Sequence, residues 1–394
     1  MEKKELVGPR HNISNLSSAF ISLGLILFLH PLISMMLIAI LNIVTRINKT
    51  ICYLLCISYS ILIVNRQYLV RFNEQSGDDT FRYIPFIKEI GRSSLENALT
   101  AQVSVFSVEP FSRFYWWLFS YIGFDINFIL LFQVLFWSCC LMYFSIKVSK
   151  RYPVAIFCIG ICFFAYTIPY TFYHLYRQAW GLSFFIIYLS QWDKKSRFIF
   201  LSLAALSHLM FIPILILMEV TRRGLRVILS RYLLPIAILS LTILFLTYTL
   251  LLAKLGAYSD GDNINYSPAK YVFYIAFFTF LVFAYNRYDT KIIKLSDQRF
   301  NIYLVLIVFY IAGLHPAFAD IANRYVLLLA PLSLMLLTIR KNGIVLSLMV
   351  VASLSKLIIH LNDVDGNIYQ YAMKGSMDFY NVIDSFWFFT GRNL

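Results

Sequence analysis

Stretches of about 20 apolar residues, the length of helix that crosses a hydrocarbon core, recur along the whole 394-residue chain. They lie near 17–45, 51–66, 126–146, 153–173, 178–191, 198–218, 231–252, 270–286, 300–318, 325–339 and 343–360. The chain is 60% apolar and only 14% charged. A water-soluble protein of that make-up would carry a largely apolar surface. The pattern predicts an all-α polytopic membrane protein of about 10–12 transmembrane helices, forming a single integral membrane domain over 1–394. The first run is too long for a cleaved signal peptide and lacks a small-residue cleavage site, so it reads as a retained helix. Pro31 is a point at which that run can split into two short passes.

The net charge of +14 invites a nucleic-acid partner, but its distribution argues against one. The connectors "RINK" (46–49), "KVSKR" (147–151), "DKKSR" (193–197), "RRGLRVILSR" (222–231), "RYDTKIIKLSDQR" (287–299) and "RK" (340–341) hold eighteen basic residues. Against these stand four acids, Asp193, Glu219, Asp289 and Asp297. Basic residues in short connectors are the topogenic signal of a membrane protein and place those connectors in the cytoplasm. The segments 67–113 and 253–269 then become long outer loops, and 361–394 an outer tail. The run 198–218 has basic connectors on both sides, so a single crossing would put one of them outside. It reads as a re-entrant hairpin with Ser207 and His208 at its turn, each arm about ten residues or roughly 15 Å of helix. Backbone that turns at membrane depth must be buried in protein or line a cavity.

On this topology the unusual polar residues converge on the outer face. Arg177 stands at a membrane edge, where two apolar runs meet. His174, Arg177, Gln178 and Gly181 share one helical face by their spacing, and a polar stripe on an apolar helix normally faces a cavity. The competing reading is an arginine that snorkels to lipid headgroups. Arg324 opens a later helix, and Asp320, four residues earlier, could simply pair with it. Two guanidinium forks would suit a pyrophosphate. "GDDTFRY" (77–83) sets Asp78 and Asp79 in an outer loop, either as solvated acids or with Asp79 as a general base. His208 and His315 are lone histidines in apolar surroundings, where hydrogen-bonded packing competes with catalysis. "RFYWWLFSYIGF" (113–124) reads as an aromatic helix lying in the outer interface, or as a platform for sugar rings. The six cysteines all lie in apolar runs and read as small packing residues. No zinc spacing, P-loop, GxGxxG or GxSxG is present, so neither metal nor cofactor is expected.

These segments resemble the EpsG-like exopolysaccharide polymerases and the Wzy-type O-antigen polymerases. "GDDTFRY" resembles their Gly-x-Asp-Tyr-type loop, with Tyr83 in the later aromatic place. "VEPFSRFYWWLFSYIGF" carries their Glu-Pro pair at Glu109 and Pro110. "YRQAWGLSFFIIYLSQWDKKSRFIFLSLAALSHL" matches in its Arg-Gln start at Arg177 and Gln178, its basic turn and its Ser-His at Ser207 and His208. "NRYVLLLAPL" resembles the late Arg-Tyr helix. The resemblance runs over about 50–340 and implies a GT-C-like glycosyltransferase of the bacterial inner membrane, its active site facing the periplasm. Donor and acceptor would be oligosaccharide repeat units on undecaprenyl pyrophosphate. A flippase and a chain-length regulator of the same pathway would be partners, alongside membrane lipid. The candidate catalytic residues are Asp79, Glu109, His208 and His315. Arg177, Arg324, His174, Gln178 and Tyr83 are candidates for binding pyrophosphate or sugar. Rival readings are a lipid-linked oligosaccharide flippase, an O-antigen ligase and a membrane O-acyltransferase.

Overall fold

The computed structural model describes residues 9–71, 79–100, 110–164, 176–192, 194–208, 211–223, 268–288 and 293–337, with four further positions at 346, 350, 351 and 353. Its regular elements are all α-helices. The expected spans 231–252 and most of 343–360, the loop 253–269 and the tail 361–394 lie outside the described residues. The chain divides into two compact units, 1–101 with 109–208 and 334–394, and 102–108 with 209–333.

The first unit begins with α1 (Pro9–Phe28) and α2 (Pro31–Val44). The first apolar run is indeed split at Pro31. A proline at the first helical position has no amide to lose, and His30 caps the new helix by accepting from the Leu32 amide at 3.2 Å. Then come α3 (Lys49–Arg71), α4 (Asp79–Arg92), α5 (Leu95–Thr100) and α6 (Pro110–Tyr121). Helix thus fills much of 67–113, and "DTFRY" is the first turn and more of α4 rather than a loop. Next are α7 (Ile126–Val148), α8 (Pro153–Phe164), α9 (Tyr176–Ser190) and α10 (Arg197–Ser207). α7 alone among the described helices is long and apolar enough to cross a membrane. Many neighbours are apolar on outward faces as well: Phe20, Phe28, Ile40 and Val44 are all exposed. Such a surface needs lipid to cover it. Hydroxyls inside these helices satisfy themselves locally, as Ser60, Ser145 and Ser183 donate to carbonyls one turn back. Ser60 and Ser138 also meet across α3 and α7 at 3.0 Å. Cys52, Cys56, Cys140 and Cys158 are buried and unbridged, as packing residues should be.

One buried amide orders the basic end of this unit. Asn42, 1% exposed, donates to the Thr45 and Arg151 carbonyls at 3.3 and 3.2 Å. Its oxygen accepts from the Val154 and Ala155 amides at 3.0 and 3.4 Å, two of the orphan donors at the start of α8. The end of α2 is thereby fixed to the α7–α8 connector. Gln191 donates to the Tyr143 hydroxyl at 3.0 Å, which sets the end of α9 beside the last turns of α7. "RINK", "KVSKR" and "DKKSR" therefore gather at one end, where Arg46, Lys49, Lys147, Lys150, Arg151, Lys194 and Lys195 are exposed. Arg197 instead turns inward and donates to the Trp192 carbonyl at 3.0 Å.

The second unit holds α11 (Phe211–Arg223), α12 (Pro268–Tyr288), α13 (Ile293–Ala312) and most of α14 (Pro316–Leu337). α12 packs on α13 through Tyr274 and Tyr310, stacked at 4.9 Å, and α13 on α14 through Phe309 and Tyr325 at 4.1 Å. The run read as 300–318 stops at Ala312. Gly313, Leu314 and His315 form a turn, with Gly313 against the Tyr271 ring where no Cβ would fit. Pro316 then starts α14, so Arg324 lies in its third turn and not at its opening. His315 is an exposed turn residue rather than a buried one: its carbonyl accepts from the Phe318 amide at 3.0 Å.

Candidate functional site

The aromatic helix α6 packs against its neighbours on both sides in sequence. Its C-terminal end turns back through Gly123, whose φ of +92° is a conformation glycine adopts freely. α7 follows at once, N-capped by Asp125, which accepts from the Asn127 amide at 3.1 Å. The rings of α6 nearest the turn then meet the first two turns of α7. Phe119 meets Phe132 and Phe124 at 5.1 and 5.6 Å, and Tyr115 donates to the Ile129 carbonyl at 2.8 Å. Phe111 reaches Phe184 and Trp180, which pack on Phe136. α6 and α7 are thus a helical hairpin, and the N-terminus of α6 lies about halfway along α7.

That N-terminus is where the candidate residues collect. Pro110 is its first residue, so Glu109, itself outside the described residues, immediately precedes it. Phe111 sits 5.6 Å from Trp180, one turn beyond Arg177 on α9. Ser112, fully buried, donates to the Ser207 carbonyl at 3.2 Å. His208 ends α10, its backbone extended at φ −157° and its amide donating to the Ala204 carbonyl at 3.1 Å. The break in the 198–218 run therefore falls where the sequence placed it. The start of α6, the first turns of α9 and the end of α10, spread over about 100 residues of chain, thus meet at one packed junction through Phe111, Ser112, Trp180 and Ser207.

The depth of this junction follows from helix rise. At 1.5 Å per residue, Arg177 stands about 21 Å along α9 from Gln191, and Ser207 about 15 Å along α10 from Arg197. Phe136 stands about 18 Å along α7 from Val148. The junction therefore lies about 15–21 Å along these helices from their basic ends. Residues 179–186, which follow Arg177 on α9, are buried without exception, so protein and not lipid surrounds that helix. Arg177 also lies in the first turn of α9, where there is no acidic residue. A cation there opposes the positive end of the helix dipole. Trp180 Nε1, buried one turn further on, has no hydrogen-bond partner among the described residues.

Other candidates fall elsewhere. Asp79 and Tyr83 lie one turn apart at the start of α4, which packs on α6 through Phe86 and Trp116, 6.1 Å apart. His174 lies outside the described residues. His315 and Arg324 belong to the second unit. Phe111, Ser112, Tyr115 and Trp180 were not singled out from the sequence, since aromatic residues and a serine in apolar helices look like ordinary packing. Their only local signal is proximity in sequence to Glu109 and Arg177.

A model of the EpsG family matches residues 52–373. The chain belongs to the EpsG family. The match takes in α4, α6, α9 and α10, and so covers every helix of the junction. EpsG membership and the apolar helical make-up together make this a membrane protein with a polysaccharide-polymerase type of function. No match was found among curated proteins or solved structures.

Proposed function

We propose that this EpsG-family protein is a glycosyltransferase that extends a polysaccharide from repeat units carried on undecaprenyl pyrophosphate, at the periplasmic face of the bacterial inner membrane. The observation that supports the reading is the place of Arg177 in sequence and fold: a cation in the first turn of α9, against the helix dipole, just before a stretch, 179–186, that is buried throughout. Such a charge is costly alone and valuable opposite an anion. A pyrophosphate would meet both the guanidinium fork and the amides at the start of α9.

In this reading the donor glycan breaks the bond between its anomeric carbon and the pyrophosphate oxygen. A hydroxyl oxygen of the incoming unit forms the new bond to that carbon. The electron pair of the broken bond leaves with the lipid pyrophosphate, and Arg177 stabilises the charge as it develops. Gln178, next to Arg177 on α9, is a further candidate for that site. The proton of the attacking hydroxyl passes to a carboxylate. Glu109 is the better placed acid, because its neighbours Phe111 and Ser112 pack against α9 and the end of α10. Asp79 begins α4, whose main described neighbours are α6 and α5. In this reading α10, which ends at His208, is the first arm of the re-entrant hairpin.

The test is reconstitution of the full chain in nanodiscs with lipid-linked repeat units extracted from a polymerase-deletion strain. Products of several units, with one undecaprenyl pyrophosphate released per bond formed, are expected, and Glu109→Gln should slow both together. Absence of elongation, or transbilayer movement of the units without bond formation, would sink the reading in favour of a flippase.

A further inference from the structure

α6 buries one face in the junction and leaves another open. Phe114, Trp117 and Tyr121, spaced i, i+3 and i+7, lie along that second face. Phe114 is 39% and Tyr121 68% exposed. Trp117 and Tyr121 are stacked, their centroids 5.1 Å apart and their planes 21° from parallel. Phe114 follows Trp117 at 6.3 Å. The indole of Trp117 is held: its Nε1 donates to the Ser93 carbonyl at 3.1 Å, in the turn between α4 and α5. Gly91 keeps α4 close to α6 there, since a side chain would collide with Ser120.

Two features separate this face from a lipid contact. A tryptophan anchored in a membrane interface turns its N–H towards water and headgroups, whereas Trp117 spends its N–H on the protein. The flanking surface also carries charge: Lys88, Glu89 and Arg92 on α4, and Ser94, Glu96 and Asn97 after it, are exposed alongside Leu95 and Leu99, and hydrocarbon would not tolerate those charges. Aromatic faces bordered by hydrogen-bonding side chains are the chemistry that binds sugar rings, with apolar C–H faces on the rings and hydroxyls at the rim. The row also has a direction. It starts one turn from Glu109 at the junction and ends at the Gly123 turn, the end of the hairpin opposite the basic connectors.

We infer that Phe114, Trp117 and Tyr121 form a carbohydrate-binding track that holds the growing glycan as it leaves the junction. This rests on the function proposed above and adds to it a site that governs product length. Weakening one stacking contact speeds release of the chain about two- to tenfold, so mean product length should shorten by a similar factor.

The experiment uses the full chain in nanodiscs with the same lipid-linked units. Tyr121→Leu and Phe114→Leu keep an apolar side chain but remove the ring, and Tyr121→Trp keeps a ring. Shortened products from both leucine variants, and long ones from Tyr121→Trp, are expected. Wild-type lengths from the leucine variants would mean that the face only anchors the protein in lipid. A second measurement needs no catalysis. Saturation of aromatic protons in wild-type protein, in deuterated lipid, should transfer to lipid-free polysaccharide released from the same strain, and should fall in the Phe114→Leu/Tyr121→Leu double variant. No transfer with wild type, or equal transfer in both, would overturn the track. A wild-type protein that binds this polysaccharide yet makes no polymer would remove the proposed reaction and leave the track standing.

Discussion

Replacing Asn42 by leucine tests the device that gathers the basic connectors. The substitution nearly conserves volume and removes four hydrogen bonds of a residue only 1% exposed. Two are accepted from the Val154 and Ala155 amides, at 3.0 and 3.4 Å, and two are donated to the Thr45 and Arg151 carbonyls, at 3.3 and 3.2 Å. Losing an N-cap costs about 1 kcal/mol. Stranding a buried partner costs about 1–3 kcal/mol more, and both Val154 and Ala155 are wholly buried. The longer bonds contribute least, so about 3 kcal/mol in all is reasonable, or a melting point lowered by about 6–12 °C. Asn42→Asp keeps the acceptor for the α8 amides but turns a carboxylate towards two carbonyls, and should fall lower than wild type. The assay is thermal unfolding of purified protein in one detergent, followed by intrinsic fluorescence, with steady-state abundance in membranes as a second readout. A leucine variant that melts within about 2 °C of wild type, less than a single cap is worth, would refute the capping role and with it the described junction of α2 and α8.

Four further outcomes are expected. Arg177→Lys keeps the charge but not the bidentate fork, so polymer formation should fall about 100-fold or more at normal protein level; a full-length ladder from that strain would remove Arg177 from the site. Cysteines placed at 149 and 195, in a background cleared of native cysteines, should resist labelling from the periplasm, and one at 122 should react; labelling at 195 would contradict the shared cytoplasmic end. Purified enzyme should polymerise in EDTA, and a complete loss restored by magnesium would make Asp78 and Asp79 candidate ligands. Gly91→Val should destabilise the α4–α6 contact by about 1–3 kcal/mol, read as a lower melting point; an unchanged melt would show that the two helices are not in close contact.

Much of this protein was legible in its sequence for reasons that act locally. An apolar run of given length makes a helix, Pro31 and Pro316 start new ones, and His208 ends one, because backbone geometry and hydrogen-bond supply are decided within a few residues. The basic connectors marked a common side before any contact was known. The family resemblance was carried by short motifs in order, and the match over 52–373 bears it out. Which helices run side by side was not legible: the parallel course of α7 and α9, with Phe136 beside Trp180 and Tyr143 beside Gln191, is decided by packing alone. The direction of α6 was equally hidden, since it depends on which helix its rings meet after the Gly123 turn. Asn42 shows the same division: an asparagine in an apolar helix announces that it needs partners, but its partners lie 112 residues away in the chain. Composition and spacing set what each segment must bury, and the packing of one helix on another decides where its polar residues end up.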